Sequence, residues 1–206
     1  MNILILNSQK KNIYLDRLKK IFNTYKDDKL ILYKDKIKLK FIKKKKINLI
    51  ISFHYMHLIR NDILKFINFN AFNFHNSNLP QNRGMYPVLW SAVSNNFAIC
   101  LHQMNGKIDE GNIVFKKQIK ISRNKSLLQA YNILENNSLI LFKKKWNYLR
   151  KKIKLRKKIL SIKQRDTKMS YNNNFKSQVL LSTFKNGWHT KIKDAQKNYS
   201  LICKFF

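Results

Sequence analysis

The seven residues Ile47–Phe53, INLIISF, constrain the fold more than any other stretch of this chain. They are apolar nearly throughout and lack the polar alternation of a strand with one wet face, so they suit a strand buried on both faces. The sequence before them reads as two earlier strands, Asn2–Leu6 and Leu30–Tyr33, separated by an amphipathic stretch. That stretch, Ile13–Tyr25, carries Leu15, Leu18, Ile21 and Phe22 at helical spacing. A helix over Asn61–Asn68, with Asn61 or Asp62 placed to cap it, leads to a fourth strand at Phe69–His75. A short helix at Pro87–Val93 and strands at Ala98–Met104 and Ile113–Ile121 follow. One long helix then runs from Lys125 to Arg150 on Leu127, Tyr131, Leu134, Leu141, Trp146 and Leu149. Alternating strands and helices predict an open α/β sheet, whose ligands would bind at the carboxyl ends of the strands. The core is expected over 1–150, with 151–206 as a C-terminal extension that completes the sheet or joins two copies in a homodimer.

A chain of 206 residues suits one domain with a real core. Its formal net charge of +33 would draw it toward nucleic acid, anionic membrane or phosphorylated substrates. The lysines, however, are spread along the whole chain and travel with Asn, Ile and Phe, the residue set of A- and T-rich codons. The runs Lys43–Lys46, Lys143–Lys145 and Lys151–Lys158 therefore read as solvated faces that can also help hold a diphosphate. Cys100 and Cys203 lie too far apart for a disulfide framework or a metal-ligand spacing, and no metal site is expected. No stretch resembles a secretory signal or reaches the length of a membrane span, so the expectation is a soluble cytoplasmic protein.

The chemistry is concentrated in one window. Of four glycines, three (Gly84, Gly106 and Gly111) fall there with both prolines, Pro80 and Pro87. Such residues mark special loop geometry. Between Asp62 and Glu135 the only acids are Asp109 and Glu110, within NGKIDEGN. Asn73 and His75 would point to the same side of their strand, and an acid on a Gly-bounded loop can reach the imidazole. A His with an acid partner is a tunable proton-transfer pair, and an Asn amide can donate to a developing oxyanion. The set suits acyl transfer to an amine without a covalent enzyme intermediate. Taken singly, His54, His57 and His189 read as packed or surface residues, and Trp90 and Trp146 as core.

The segment Asn73-Phe74-His75-Asn76-Ser77-Asn78-Leu79-Pro80, then Asn82-Arg83-Gly84 and Asp109-Glu110-Gly111, resembles the formyltransferases that use N10-formyltetrahydrofolate. The resemblance covers roughly residues 47–120 well. It implies a Rossmann-like core with a central, mostly parallel sheet flanked by helices. It also implies that Asn73 and His75 polarise the formyl carbonyl and that Asp109 orients His75 and supports proton removal from the amine. By the same resemblance, His54, Tyr55, Met56, Lys107, Ile108 and Gly111 would line the folate pocket. Asn76, Ser77, Asn82, Arg83 and Gly84 would meet the acceptor.

The run through Pro87 and Trp90-Ser91 is most similar to bacterial nucleotide-sugar N-formyltransferases of surface polysaccharide synthesis, which implies a nucleotide-linked amino sugar as partner. Alternatives are a minimal methionyl-tRNA formyltransferase, in which tRNA would engage the basic surface, and glycinamide ribonucleotide formyltransferase, which usually has Pro where Asn76 stands. A further alternative is a catalytically inactive basic relative that binds RNA or membrane. Asn112 stands where the family commonly has an acid or Gln. No chemistry is assigned to Phe184–Asp194, which resembles a segment of some small members.

Overall fold

The computed structural model describes residues 1–9, 13–164 and 170–203. Six strands, β1 (Asn2–Leu6), β2 (Lys29–Tyr33), β3 (Leu49–Ser52), β4 (Ala71–His75), β6 (Ala98–Gln103) and β7 (Ile113–Gln118), form one sheet in the order β2-β1-β3-β4-β6-β7. The first four run parallel, with Ile5 beside Ile51 and Ser52 beside Asn73. β6 and β7 are antiparallel additions, and β6 places His102 opposite Asn73 and Cys100 opposite His75. This is the mixed α/β architecture with a mostly parallel central sheet that the strand–helix alternation predicts.

The period of two along a strand divides the core. Ile3, Ile5, Ile51 and Phe72 face helix α1 (Ile13–Phe22) and the long α5 (Leu127–Lys154), where Phe22, Phe142 and Trp146 are buried. Leu4, Leu6, Ile50 and Ala71 face α2 (Leu39–Lys44) and α3 (Asn61–Phe66), packing on Ile42, Ile63 and Leu64. Helix α5 opens on a capping box: the Gln129 amide donates to Ser126 Oγ and the Ser126 amide donates to Gln129 Oε1.

After α5 the described residues meet β7 in a bridge between Ile113 and Ile162. Strand β8 (Tyr171–Asn172) then pairs in parallel with β5 (Arg83–Gly84) as a separate two-stranded sheet. Helices α6 (Asn174–Ser182) and α7 (Ile192–Ile202) bring Leu180, Ile192 and Ala195 against Leu89 and Ala92 of α4 (Pro87–Val93). Trp90 Nε1 donates to Ser177 Oγ across that contact.

Three expectations change. Neither Asn61 nor Asp62 caps α3; Arg60 holds the cap position without a side-chain bond, since Asn61 already lies in the first turn and Asp62 pairs with Arg60. Helix α2 was unforeseen because lysines surround its one buried residue, Ile42. Strand β4 starts at Ala71 because Phe69 occupies a turn with φ 55°. Among the described residues no helix is long and apolar enough to cross a membrane.

Candidate active site

A cavity of about 510 Å³ opens at the carboxyl ends of β3 and β4 and is walled by the loop before Asp109, the segment Gly84–Val88, Tyr131 and Glu135 of α5, and Tyr171 and Trp188 of the C-terminal segment. Its size suits a small-molecule site. His54, Tyr86 and Asp109 on its walls adopt left-handed backbone conformations, with φ of 59°, 53° and 50°. Such conformations are costly for residues with a Cβ and persist where surrounding contacts impose them.

Asp109 is saturated with donors. Asn73 Nδ2 and His102 Nε2 both donate to Oδ1 at 3.2 Å, and the Gly84 amide donates to Oδ2 at 2.9 Å. His75 Nδ1 stands 3.5 Å from the same Oδ2. The other ring nitrogen, Nε2, lies 2.9 Å from the carbonyl oxygen of Asn82. A carbonyl can only accept, so Nε2 bears a proton and the neutral ring carries its lone pair at Nδ1, toward Asp109. Burial pushes the His75 pKa down more than the facing carboxylate raises it, which leaves the imidazole neutral. Burial also opposes charge on Asp109. The positive charge His75 carries once protonated, the bond from His102 and the Gly84 amide outweigh it and hold the carboxyl well below the usual range. The result is a fixed anion beside a neutral base.

Glycine is required on both flanks of this cluster. A Cβ at Gly84 (φ 90°) would come 2.4 Å from the Asn172 carbonyl oxygen, and one at Gly111 would come 1.4 Å from that of Gln103. Either overlap would displace backbone that holds Asp109.

A second polar cluster, built around Glu135, lies at the same cavity. Glu135, 1% exposed, accepts from Asn76 Nδ2 at 2.6 Å and pairs with His54 Nε2 at 3.1 Å, both through Oε1. Ser138 Oγ donates to Asn76 Oδ1 at 2.9 Å. Glu135 Oε2 is buried with no hydrogen-bond partner among the described residues.

The structure brings Asn73, His75 and Asp109 together at the cavity. His54, Tyr55, Met56, Lys107 and Ile108 also line it, as do Asn76 and Gly84. Tyr55 ties its loop down by donating to the Asp35 carbonyl at 2.7 Å. Gly111, Ser77, Asn82 and Arg83 lie behind the wall. Ser77 donates to the Gln81 carbonyl, Asn82 supplies the carbonyl on His75, and Arg83 bonds to Gln164. Burial pushes the Cys100 thiol up to about 11, so it stays protonated.

Sequence reasoning missed His102 and Glu135. His102 carried a usable signal: it is cross-strand from Asn73 and leads into the loop that bears Asp109. Glu135 also had one, an acid on the apolar face of α5 between Leu134 and Ser138.

The family described as formyl transferase matches residues 19–143. Over 106 residues the chain is 33% identical to the bifunctional polymyxin resistance protein ArnA of Wigglesworthia glossinidia brevipalpis, a match covering 50% of this chain and 16% of that protein. The formyltransferase PseJ of Anoxybacillus kamchatkensis, whose structure holds UDP-4,6-dideoxy-4-formamido-L-AltNAc and tetrahydrofolate, superposes with a TM-score of 0.82 at 26% identity, covering 96% of this chain and all 100% of that one. A 4-N formyltransferase of Francisella tularensis shares the fold, with a TM-score of 0.74 at 17% identity over 95% of this chain and 85% of that one. With the matched family spanning more than half of its length, the chain belongs to the formyl transferase family.

Proposed function

We propose that the protein transfers the formyl group of N10-formyltetrahydrofolate to the amine of a nucleotide-linked amino sugar. The observation that carries this reading is the pairing of neutral His75 with ionised Asp109 beside Asn73, on the wall of a cavity with room for small molecules. The similarity to PseJ along nearly the whole chain supports an acceptor of the nucleotide-sugar class.

The residues present fit the donor. Tyr55, Met104 and Ile108 give the cavity apolar lining for a flat ring system, and Asn73, His75 and Asp109 line the same cavity. When bound, N10-formyltetrahydrofolate supplies an electrophilic formyl carbon on nitrogen. Asn73 uses one N–H on Asp109 and has a second to donate to the oxygen where negative charge develops. His75 takes a proton from the attacking amine at Nδ1, and Asp109, already charged, stabilises the imidazolium. The proton is then available to the departing nitrogen, so it is conserved across the transfer. Tyr86, Tyr131, Glu135 and Trp188, which also line the cavity, are left for the acceptor.

The test is product formation by mass spectrometry with purified protein, N10-formyltetrahydrofolate, a panel of nucleotide-linked amino sugars, and Met-tRNA. One sugar should gain a formyl mass, and His75→Ala should abolish the gain. Formylation of Met-tRNA alone would replace the acceptor assigned here, and unreduced turnover by His75→Ala would remove the catalytic centre.

A further inference from the structure

The C-terminal segment grips the backbone that carries the reactive groups. Gln164, 8% exposed, has both amide donors and its carbonyl engaged. Its Nε2 donates to the carbonyl oxygens of Asp109 at 2.8 Å and Gly111 at 2.7 Å. Its Oε1 accepts from Arg83 Nε at 3.2 Å and from the terminal guanidinium nitrogen at 2.7 Å. The two clamped carbonyls bracket the turn in which Asp109 holds its left-handed φ of 50°. A backbone in that region persists only when its neighbours over-determine it. The bridge between Ile113 and Ile162, with amide-to-carbonyl bonds of 2.8 Å in each direction, anchors the segment two residues away.

We propose that Gln164 is a positioning residue for formyl transfer: its amide clamps the Asp109–Gly111 backbone and so aims the Asp109 carboxylate at His75. The requirement is specific. Two carbonyls facing one side chain need two donors, and Arg83 beside them needs an acceptor; a neutral amide of this length supplies all three. A carboxylate at the same position keeps the acceptor for Arg83 and sets its other oxygen against two carbonyls. The segment 170–172 continues the grip, since the Arg83 amide donates to the Ser170 carbonyl at 2.9 Å and the Met85 amide to that of Asn172 at 2.8 Å. Between them lies Gly84, whose amide holds Asp109 Oδ2. The extension thus belongs to the active centre although it touches no reacting atom there.

This inference rests on the assignment of Asp109 to the chemistry, and the experiment separates the two. Steady-state kinetics would be measured for Asp109→Asn, Gln164→Glu and Gln164→Leu, with folding checked by near-ultraviolet circular dichroism. Gln164→Glu is expected to lower kcat about 100-fold while the KM for donor and acceptor stays within about threefold, because misplacement by an ångström disturbs the transition state more than binding. Gln164→Leu answers the same question should a buried carboxylate unfold the chain, and the same split is expected. A folded Gln164 variant with the wild-type kcat, alongside an inactive Asp109→Asn protein, would overturn the clamp alone. An active Asp109→Asn protein would overturn the catalytic assignment and the clamp with it. A parallel rise in KM and loss of kcat, recovered by cooling, would mark Gln164 as merely structural and also overturn the proposal.

Discussion

Two carboxylates line the cavity, and they are held in opposite ways. Asp109 has both oxygens occupied, by Asn73, His102 and the Gly84 amide, with His75 beside them. Glu135 crowds His54 and Asn76 onto one oxygen and leaves the other buried without a partner among the described residues. A saturated carboxylate has its charge and direction fixed before any substrate arrives, which is the condition for stabilising a transition state without reorganisation. A buried polar atom without a partner is uncommon and calls for a reason. On the proposed function the reason is a ligand: Asp109 would serve the reaction and Glu135 would meet what enters.

The largest test of that contrast is Asp109→Asn. Turnover is expected to fall about 10³-fold, within the range for a positioned acid–base group, with KM much less affected. The pH profile gives a second reading. His75 works when neutral and Asp109 raises its pKa against the effect of burial, so removing the charge lowers that pKa. The acid limb of the residual rate should therefore move to lower pH; a shift to higher pH would separate the two groups. Stability follows its own sign. The folded pKa of Asp109 is depressed, so its contribution is complete above the ordinary carboxylate range and is lost as pH falls through the folded value. The variant should show a flatter acid-unfolding curve than the parent.

His102→Leu comes next. It removes one donor from Asp109 Oδ1 but leaves Asn73, Gly84 and His75 in place. Hydrogen bonds to charged groups are worth about 1.5–3 kcal/mol, so kcat should fall between about tenfold and a hundredfold. A loss equal to that of Asp109→Asn would mean that His102, and not His75, handles the proton.

What the sequence showed follows from the same contrast. The buried strands were legible because Leu49–Ser52 and its neighbours are apolar on both faces, a local pattern that burial itself imposes. The proposed catalytic set was marked out because Gly84 and Gly111 must lack a Cβ, which singles out the window in a chain otherwise poor in glycine. Gln164 was not legible. Its partners, Asp109, Gly111 and Arg83, lie more than fifty positions away, and nothing in its neighbourhood repeats. Glu135 was hidden differently, as one acid in a helix read only for its apolar rhythm.

Glu135→Gln tests the other carboxylate. The amide keeps an oxygen for Asn76 and removes the negative charge from the unpartnered position. If that position meets the acceptor, KM for the acceptor should rise about tenfold, the loss of about 1.4 kcal/mol of binding, with kcat nearly unchanged. A fall in kcat with unchanged KM would place Glu135 in the chemistry and erase the distinction between the two carboxylates.

The smallest effect is expected at Ser138. Its hydroxyl donates to Asn76 Oδ1, and Asn76 in turn donates to Glu135, so it sits two hydrogen bonds removed from the unpartnered oxygen. Ser138→Ala leaves one buried amide oxygen unpaired, at a cost of about 1–3 kcal/mol in stability. Asn76 still has Glu135 to orient it, so the acceptor KM should change by less than about threefold, well short of the step at Glu135 itself. Thermal unfolding and acceptor KM, measured together, decide it. A KM shift as large as that of Glu135→Gln would show that Ser138, Asn76 and Glu135 act as one cooperative unit, and that cluster would then be as pre-organised as the one around Asp109.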